Sequence, residues 1–279
     1  MPHNGAEQTW RPACTLAALH ARATMLQEIR AFFEARGVME VETPIMARHG
    51  VTDVHLACIP AQLSPSAPGV GGSMWLQTSP EYHMKRLLAA GSGPIYQVFR
   101  AFRDAESGRR HNPEFSLLEW YRPGFDHWHL MDEVGALVAS VAGVATPSVM
   151  TYREAFLQLA GFDPFEIAQE QLAAHVRTLA GLDLGGEPRD TLLDLVMTHQ
   201  VEPALAELGA VFIHDYPASQ AALARVHEDA QGNAVAHRFE LYVNGLELCN
   251  GYWELVDADE QRRRFEADNQ LREACGLPR

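Results

Sequence analysis

The sequence predicts an α+β fold with a mainly antiparallel sheet. Strand-like and helix-like segments alternate irregularly along the 279 residues, and hairpin patterns occur near both ends. The clearest hairpin surrounds Asn244-Gly245, a pair typical of a tight two-residue turn. Neither GxGxxG nor GxxxxGK[ST] occurs in the chain. The two commonest nucleotide-binding fingerprints are therefore absent, which argues against a doubly wound fold.

The first 121 residues alternate between helix, strand and loop patterns. Apolar residues at helical spacing predict a first helix that ends at Gly37, and Ser79 and Pro80 are typical of the start of the second. A segment rich in Pro, Ser and Gly, 60–73, is predicted to be a loop. The other predicted elements of this part are helices over 16–36 and 81–90 and strands over 38–42, 74–77, 94–102 and 114–121.

Beyond residue 121 the patterns become more helical. The capping box Thr151 to Glu154 predicts the start of a helix. Helical patterns separated by Gly- and Pro-bearing loops fill 162–208, which we expect to be a helical insertion within a single domain, 1–279. The remaining predicted elements are helices over 129–144 and 257–275 and strands over 211–216, 234–243 and 246–255.

Composition limits the class of protein. Lys and Arg number 22 and Asp and Glu 36, so the net charge is −14, which argues against a protein that mainly grips nucleic-acid backbone. Charged residues interrupt every apolar stretch before it reaches about 18 residues, so no membrane span is predicted. The N-terminus lacks the pattern of a secretory signal. The four cysteines are scattered without a CxxC pair, so they indicate neither a cysteine zinc site nor a disulfide framework. We expect a cytoplasmic protein.

Positively charged residues concentrate between the predicted strands 94–102 and 114–121. Four arginines and His111 lie within 100–111, and Phe115 follows closely. Arginine binds phosphate oxygens two at a time, and an aromatic ring can stack on a base, so the segment is typical of a polyphosphate or nucleotide site. A solvated hairpin loop is an equally good interpretation of the charge pattern alone.

Acidic residues mark two further segments. Glu240 and Glu247 can lie close across the predicted hairpin, where two carboxylates are unfavourable unless a cation such as Mg²⁺ joins them. Asn250, Tyr252 and Glu254 alternate and so share one face of the second strand. An edge hairpin with exposed acids would show the same pattern. Glu81 opens a predicted helix, and the helix dipole alone would account for it.

These segments together resemble one enzyme family. Residues 37–44 are similar to motif 1 of class II aminoacyl-tRNA synthetases, and 102–115 are similar to motif 2 in its lysyl-tRNA synthetase form. The segments 78–81, 119–121 and 250–255 extend the resemblance, which covers about 16–278. Because no OB-fold anticodon domain precedes motif 1, the chain resembles most the stand-alone lysyl-tRNA synthetase-like ligases that modify elongation factor P.

The resemblance implies roles for particular residues. It implies that Arg103 contacts the α-phosphate of ATP and the substrate carboxylate, that His111 lies along the phosphates and that Phe115 stacks on adenine. It implies that Glu240 and Glu247 bind Mg²⁺. The residues that it places around the amino acid are Glu81 at the amino group near the carboxylate, Glu119, Tyr121 and Glu254 at the ε-ammonium, Asn250 at the carboxylate, and Tyr252 and Cys249 in the pocket.

The chain departs from the family pattern at three places. The motif 2 arginine is followed in the family by Asn-Glu, but here by Asp104 and Ala105, so Glu106 is the candidate for adenine recognition. Cys249 stands where lysyl-tRNA synthetases have Gly and the modifying ligases Ala, which favours a β-amino acid over α-lysine. The Gly-rich strand and arginine of motif 3 do not occur before Arg279.

The resemblance therefore implies a class II synthetase-like antiparallel sheet flanked by helices, and a homodimer built through 16–44. It implies a ligase that uses ATP and Mg²⁺ to activate (R)-β-lysine or lysine and transfers it to a lysine of elongation factor P, without stable tRNA binding and without a membrane. Two alternatives remain open. One is an amino-acid-activating paralogue with another acceptor such as tRNA, and the other is a non-catalytic synthetase-like binding protein.

Overall fold

The structure is a computed structural model that describes residues 12–54, 56–64, 73–104, 108, 111–181, 184 and 186–277. Its α-helices are α1 (Leu16–Glu34), α2 (Glu81–Ala89), α3 (His127–Ala142), α4 (Tyr152–Ala155), α5 (Gln169–Ala180), α6 (Arg189–Val196), α7 (Glu202–Leu205) and α8 (Ala258–Ala274). Its strands are β1 (Met39–Glu40), β2 (Met46–Ala47), β3 (Pro60–Gln62), β4 (Ser73–Leu76), β5 (Ile95–Phe102), β6 (Glu114–Tyr121), β7 (Ser148–Thr151), β8 (Ala210–Pro217), β9 (Val226–Glu228), β10 (Ala234–Val243) and β11 (Leu246–Tyr252).

The strands form three sheets in which antiparallel pairs predominate. The order β1-β5-β6 makes the first sheet, β11-β10-β8-β7 with β9 against β10 makes the second, and β2-β4-β3 makes the third. Only β1 with β5 and β7 with β8 run parallel among the described pairs. The expected α+β class with a mainly antiparallel sheet is confirmed.

Helix α1 packs on the first sheet through aromatic residues. Phe33 stacks on Tyr96 with ring centroids 4.4 Å apart and lies 5.5 Å from the Trp120 ring. The β5–β6 pair then runs without interruption from Ile95 opposite Tyr121 to Phe102 opposite the first residue of β6. This register brings the two ends of the motif 2 loop together, since the backbone N–H of Arg103 donates to the carbonyl of Pro113 at 2.9 Å.

The second sheet is covered on both faces. The α4–α7 segment packs on one face, around residues such as Ile213 and Tyr216 of β8. Helix α3 packs on the other face, where Met131 and Val134 contact Phe239 of β10. In the described part of 162–208 the regular elements are all helical and are separated by loops such as 162–168 and 186–188, as the patterns predict. Its role as an insertion in a single domain stays a prediction.

The tight turn of the β10–β11 hairpin is confirmed. Asn244 and Gly245 have φ of 51° and 72°, the left-handed values that a type I′ turn requires. A Cβ on Gly245 would also lie 2.7 Å from the carbonyl oxygen of Glu202, so this position has no room for a side chain. The hairpin is therefore fitted closely against α7.

Several local expectations were wrong. Pro60–Gln62, expected in a loop, pairs with β4 as an edge strand, and β2, β7 and β9 were not predicted. Pro80 rather than Ser79 is the N-cap of α2, although the Ser79 hydroxyl still accepts from the Glu81 N–H at 3.3 Å. Of the described helices, none combines the length and the apolar character that a bilayer crossing requires.

Candidate active site

Three predicted acids meet at one place. Glu81 lies in the first turn of α2, Glu119 lies on β6, and Glu254 follows β11. Lys85, one turn after Glu81 on α2, joins two of them. Its Nζ atom lies 2.7 Å from a carboxylate oxygen of Glu81 and 2.7 Å from one of Glu254. The Tyr121 hydroxyl donates to Glu119 at 2.8 Å. These residues form what we call the acid pocket.

The acid pocket contains more carboxyl groups than its one lysine can balance. Burial and the charges of Glu81 and Glu254 raise the pKa of Glu119 to about 8. Burial also raises the pKa of Glu254 to about 7, although the nearby ammonium opposes the shift. Burial disfavours the charged form of Lys85, but the two acids outweigh it and raise its pKa. An additional cation in the pocket would therefore be stabilised.

Asn250 and Tyr252 connect the acid pocket with the hairpin. The Asn250 amide donates to the Tyr252 hydroxyl at 2.8 Å, and its oxygen accepts from Nε of Arg238 at 3.2 Å. Burial raises the pKa of Tyr252, on which the charges of Arg238, Glu81 and Glu254 also act. Asn250, Tyr252 and Glu254 thus lie near each other, as their alternation along the strand predicts.

A β-bulge brings Glu247 to the face of Glu240. Glu240 pairs with Asn250 and Leu241 with Cys249, but the next residue, Tyr242, pairs with Glu247. Leu248 is therefore the extra residue of the bulge. Without it, Glu247 and Asn250 would point to opposite faces of the sheet, because side chains alternate along a strand.

Glu240 is buried and already has several partners. Its carboxylate accepts from the Tyr216 hydroxyl at 2.5 Å and from the Tyr242 hydroxyl at 2.6 Å, and it pairs with Arg238. Burial disfavours the charge of Arg238, but the Glu240 carboxylate outweighs this and raises its pKa. A carboxylate has about four acceptor positions, so these three bonds leave one.

Glu247 lies on the open side of the hairpin. Its side chain is exposed to solvent. The surrounding protein and the charge of Glu240 raise its pKa to about 8, while Arg238 and Arg103 act in the opposite direction. Two neighbouring carboxylates, one of them reluctant to ionise, are a donor set that a divalent cation suits. A Mg²⁺ ion fits here, and Glu247 and the remaining acceptor position of Glu240 would hold it.

The motif 2 residues flank this pair of acids. The guanidinium of Arg103 lies 5.0 Å from the centroid of the Phe115 ring, and its charge acts on Glu247. Phe115 is half-buried on β6 opposite Ala101 of β5. The His111 side chain is exposed, and its carbonyl accepts from the backbone N–H of Gly108 at 3.0 Å. Glu106, like Ala105, lies outside the described residues.

Cys249 lies on the other face of the hairpin from Glu240. It lies opposite Leu241 and packs in the cluster that contains Phe239 and Phe212, on the α3 side of the sheet. Burial raises the pKa of its thiol to about 12. The alternation of β11 directs Asn250 to the face of Glu240 and Cys249 to the opposite face, and that Cys249 shapes the amino-acid pocket stays a prediction.

Sequence reasoning missed three residues of this region. Lys85 joins two acids, Arg238 pairs with Glu240, and the Tyr216 hydroxyl donates to Glu240. Lys85 carried a signal, since it follows Glu81 by four residues, the spacing of helical ion pairs. Arg238 also carried one, because it alternates with Glu240. Tyr216 comes from another strand, and nothing local in the sequence indicates its contact.

Comparison with known proteins shows the family of the chain. A family model described as tRNA synthetases class II (D, K and N) matches residues 9–275. A protein of Edwardsiella ictaluri named elongation factor P–(R)-beta-lysine ligase is 49% identical over 277 residues, which cover 97% of this chain and 83% of the relative. Proteins of the same name from Mannheimia succiniciproducens and Erwinia tasmaniensis are 45% and 48% identical, over 98% and 97% of this chain and 84% and 83% of the relatives. The chain therefore belongs to the class II tRNA synthetase family of the D, K and N type.

Proposed function

We propose that this chain activates (R)-β-lysine with ATP and transfers it to a lysine of elongation factor P. The observation that carries the proposal is the charge of the acid pocket. Glu81, Glu119 and Glu254 supply three carboxylates against one ammonium, that of Lys85. Two carboxylates remain unmatched, and a lysine-like substrate brings two ammonium groups.

The phosphate side of the site is consistent with the first reaction. Arg103 and Phe115 lie together at the end of the β5–β6 pair, where a nucleotide can meet a fixed guanidinium and an aromatic face. The charge of Arg103 acts on Glu247, so these two groups lie near the same region of the cleft. A Mg²⁺ ion bound by Glu247 and Glu240 would neutralise phosphate charge beside Arg103.

The chemistry needs two displacements. A carboxylate oxygen of the amino acid attacks the α-phosphorus of ATP, and pyrophosphate leaves. The amine of an acceptor lysine then attacks the carbonyl carbon of the aminoacyl-adenylate, loses a proton and releases AMP. The first step needs no base, since the carboxylate is already ionised, but charge builds on the phosphate oxygens. In this proposal Arg103 stabilises that charge.

Two further features belong to the proposal. The first is a homodimer through α1 and β1, supported by the exposed apolar side chains of Leu16, Leu19 and Met39 in that region. The second is a cytoplasmic location, supported by four free cysteine thiols, since disulfides are rare in that compartment.

The test measures acceptor and substrate separately. Purified elongation factor P is incubated with ATP, Mg²⁺ and either (R)-β-lysine or α-lysine, and its mass is followed; a parallel reaction offers tRNA. We expect an ATP-dependent mass gain on the protein, larger with (R)-β-lysine. Charging of tRNA without modification of the protein would contradict the acceptor, and equal use of both amino acids would contradict the substrate.

A pair of variants connects this activity to the acid pocket. Glu254→Gln removes a carboxylate that contacts Lys85, and we expect KM for the amino acid to rise at least tenfold. Asp259→Asn is the matched control, because Asp259 is an exposed acid on α8 that pairs with Arg262 at 3.3 Å and with no residue of the acid pocket among the described contacts. Equal effects of the two substitutions would contradict the assignment.

A further inference from the structure

Four histidines and an aspartate gather where the N-terminus of α3 meets the second sheet. The mechanism above uses none of them. They are His127 of α3, His214 and Asp215 of β8, His227 of β9 and His237 of β10. Residues far apart in sequence thus converge on one place, which we call the histidine cluster.

Three members present ligand atoms to a common point. One nitrogen each of His127 and His237 and one carboxylate oxygen of Asp215 lie within 4.8 Å of one another. The His127 and His237 ring centroids are 4.6 Å apart, and the His227 ring stacks parallel to His237 at 3.8 Å. Trp128 lies against His214 at 4.7 Å, so apolar rings border the cluster.

Three imidazole nitrogens of the cluster are buried without a hydrogen-bond partner among the described residues. In the part of the chain that the structure describes, Nδ1 of His127, His227 and His237 is buried without a hydrogen bond. His127 is only 2% exposed. A buried polar atom without a partner is unfavourable, and most such atoms in native proteins have one. Three such nitrogens in one place indicate that a metal ion, which accepts lone pairs from several atoms, can bind there.

The backbone holds Asp215 in a conformation that serves this arrangement. A bulge places His237 and Arg238 of β10 opposite the single residue Asp215, whose φ is 57°. His214 lies 3.2 Å from one carboxylate oxygen of Asp215, and His227 lies 4.0 Å from the other. Two further imidazoles thus lie close to the Asp215 carboxylate, where they could orient it as neighbours of a ligating group.

We propose that His127, Asp215 and His237 bind one Zn²⁺ ion. Two imidazoles and a carboxylate are a common protein ligand set for this ion, and a fourth position is open to His227 or water. In a tetrahedral site with metal–ligand bonds of about 2.1 Å, ligand atoms lie about 3.4 Å apart, so closing the site shortens the largest of these separations by up to roughly 1.4 Å. The ion would join α3 to β8 and β10.

The proposal is tested by binding and stability rather than by ligase activity. The full chain is treated with a chelator and titrated with Zn²⁺ by calorimetry and by thermal unfolding. We expect one ion per chain, and at a hundredfold excess over Kd a rise in Tm of roughly 5–10 °C. Co²⁺ should give the visible absorption of a site with fewer than six ligands.

Matched variants separate the cluster from other histidines. We expect His127→Asn, His237→Gln and the conservative Asp215→Asn each to abolish the Zn²⁺-dependent rise in Tm. The double variant His20→Gln and His199→Gln changes two exposed histidines elsewhere and should retain it. Absence of stoichiometric binding to the wild type, or loss of binding only in the double variant, would overturn the proposal. The Co²⁺ spectrum of the wild type decides the question if a variant fails to fold.

Discussion

The same substitution in the two hairpin acids should have opposite effects on stability. Glu240 is 5% exposed and pairs with Arg238, whereas Glu247 is exposed to solvent and has a pKa raised to about 8. Replacing Glu240 by Gln leaves the Arg238 charge without its partner. Replacing Glu247 by Gln removes a charge that the fold disfavours, so the folded state loses nothing.

The expected magnitudes follow from these environments. Breaking a buried ion pair costs roughly 3–5 kcal/mol, and the glutamine oxygen still accepts from tyrosine, so we expect about 3 kcal/mol for Glu240→Gln. For a chain of this size that is a fall in Tm of roughly 6–12 °C. Glu247→Gln should leave Tm unchanged or raise it.

A pH series makes the second effect specific. The pKa of Glu247 lies above the ordinary value of 4.5, so the folded chain keeps a proton that the unfolded chain has lost. Stability of the wild type without Mg²⁺ therefore falls as pH rises from about 4.5 to about 8, and Glu247→Gln removes that part of the slope.

Activity should nevertheless fall in both variants. If both acids contribute to Mg²⁺ binding, ATP–pyrophosphate exchange should fall roughly 100-fold in each, while calorimetric binding of the amino acid changes much less. The measurements are thermal unfolding in Mg²⁺-free buffer, pyrophosphate exchange and calorimetry on the same preparations. Equal destabilisation by both substitutions, or equal loss of exchange and of amino-acid binding, would refute the reasoning.

Three other results are expected. Glu119 and Glu254 have pKa values raised to about 8 and 7, so binding of a diammonium substrate should release protons, and its affinity should rise from pH 6 to 8.5. Calorimetry in two buffers of different ionisation enthalpy measures the proton release, and a binding enthalpy that is the same in both buffers would contradict it. Leu16→Asp with Leu19→Asp should convert a dimer to a monomer in light scattering, and a wild-type monomer at micromolar concentration would remove the premise. Cys249→Gly should cost about 2 kcal/mol of stability, because it removes a side chain packed beside Phe239 and adds backbone freedom; thermal unfolding measures this, and an unchanged Tm would contradict the packing.

Much of the fold could be predicted because its signals are local. Strand β6 has the predicted bounds, Glu114–Tyr121, and the Asn244-Gly245 turn has the expected left-handed conformation. Edge strands were harder to predict. Pro60–Gln62 has the composition of a loop and becomes a strand only because β4 offers a partner, which is a tertiary effect.

The candidate site was predictable only in part, for a related reason. Glu81 and Glu254 stand in recognisable motifs, and the structure brings them to one lysine. Which face each residue of the hairpin occupies depends on one irregularity in strand pairing. Strict alternation assigns Glu247 and Cys249 to the same face, and the bulge separates them. A pattern of residue types contains no sign of that irregularity.

Substitution and deletion of Leu248, the extra residue of the bulge, should have very different effects. The side chain is 52% exposed, so its chemical identity contributes little, and polar substitutions should be harmless. The presence of a residue at this position does matter, because the extra residue of the bulge puts Glu247 and Asn250 on the same face of the sheet. Deleting Leu248 would turn Glu247 toward the hydrophobic side without changing any residue of the site. In a mutational scan, this position should tolerate nearly every replacement and no deletion.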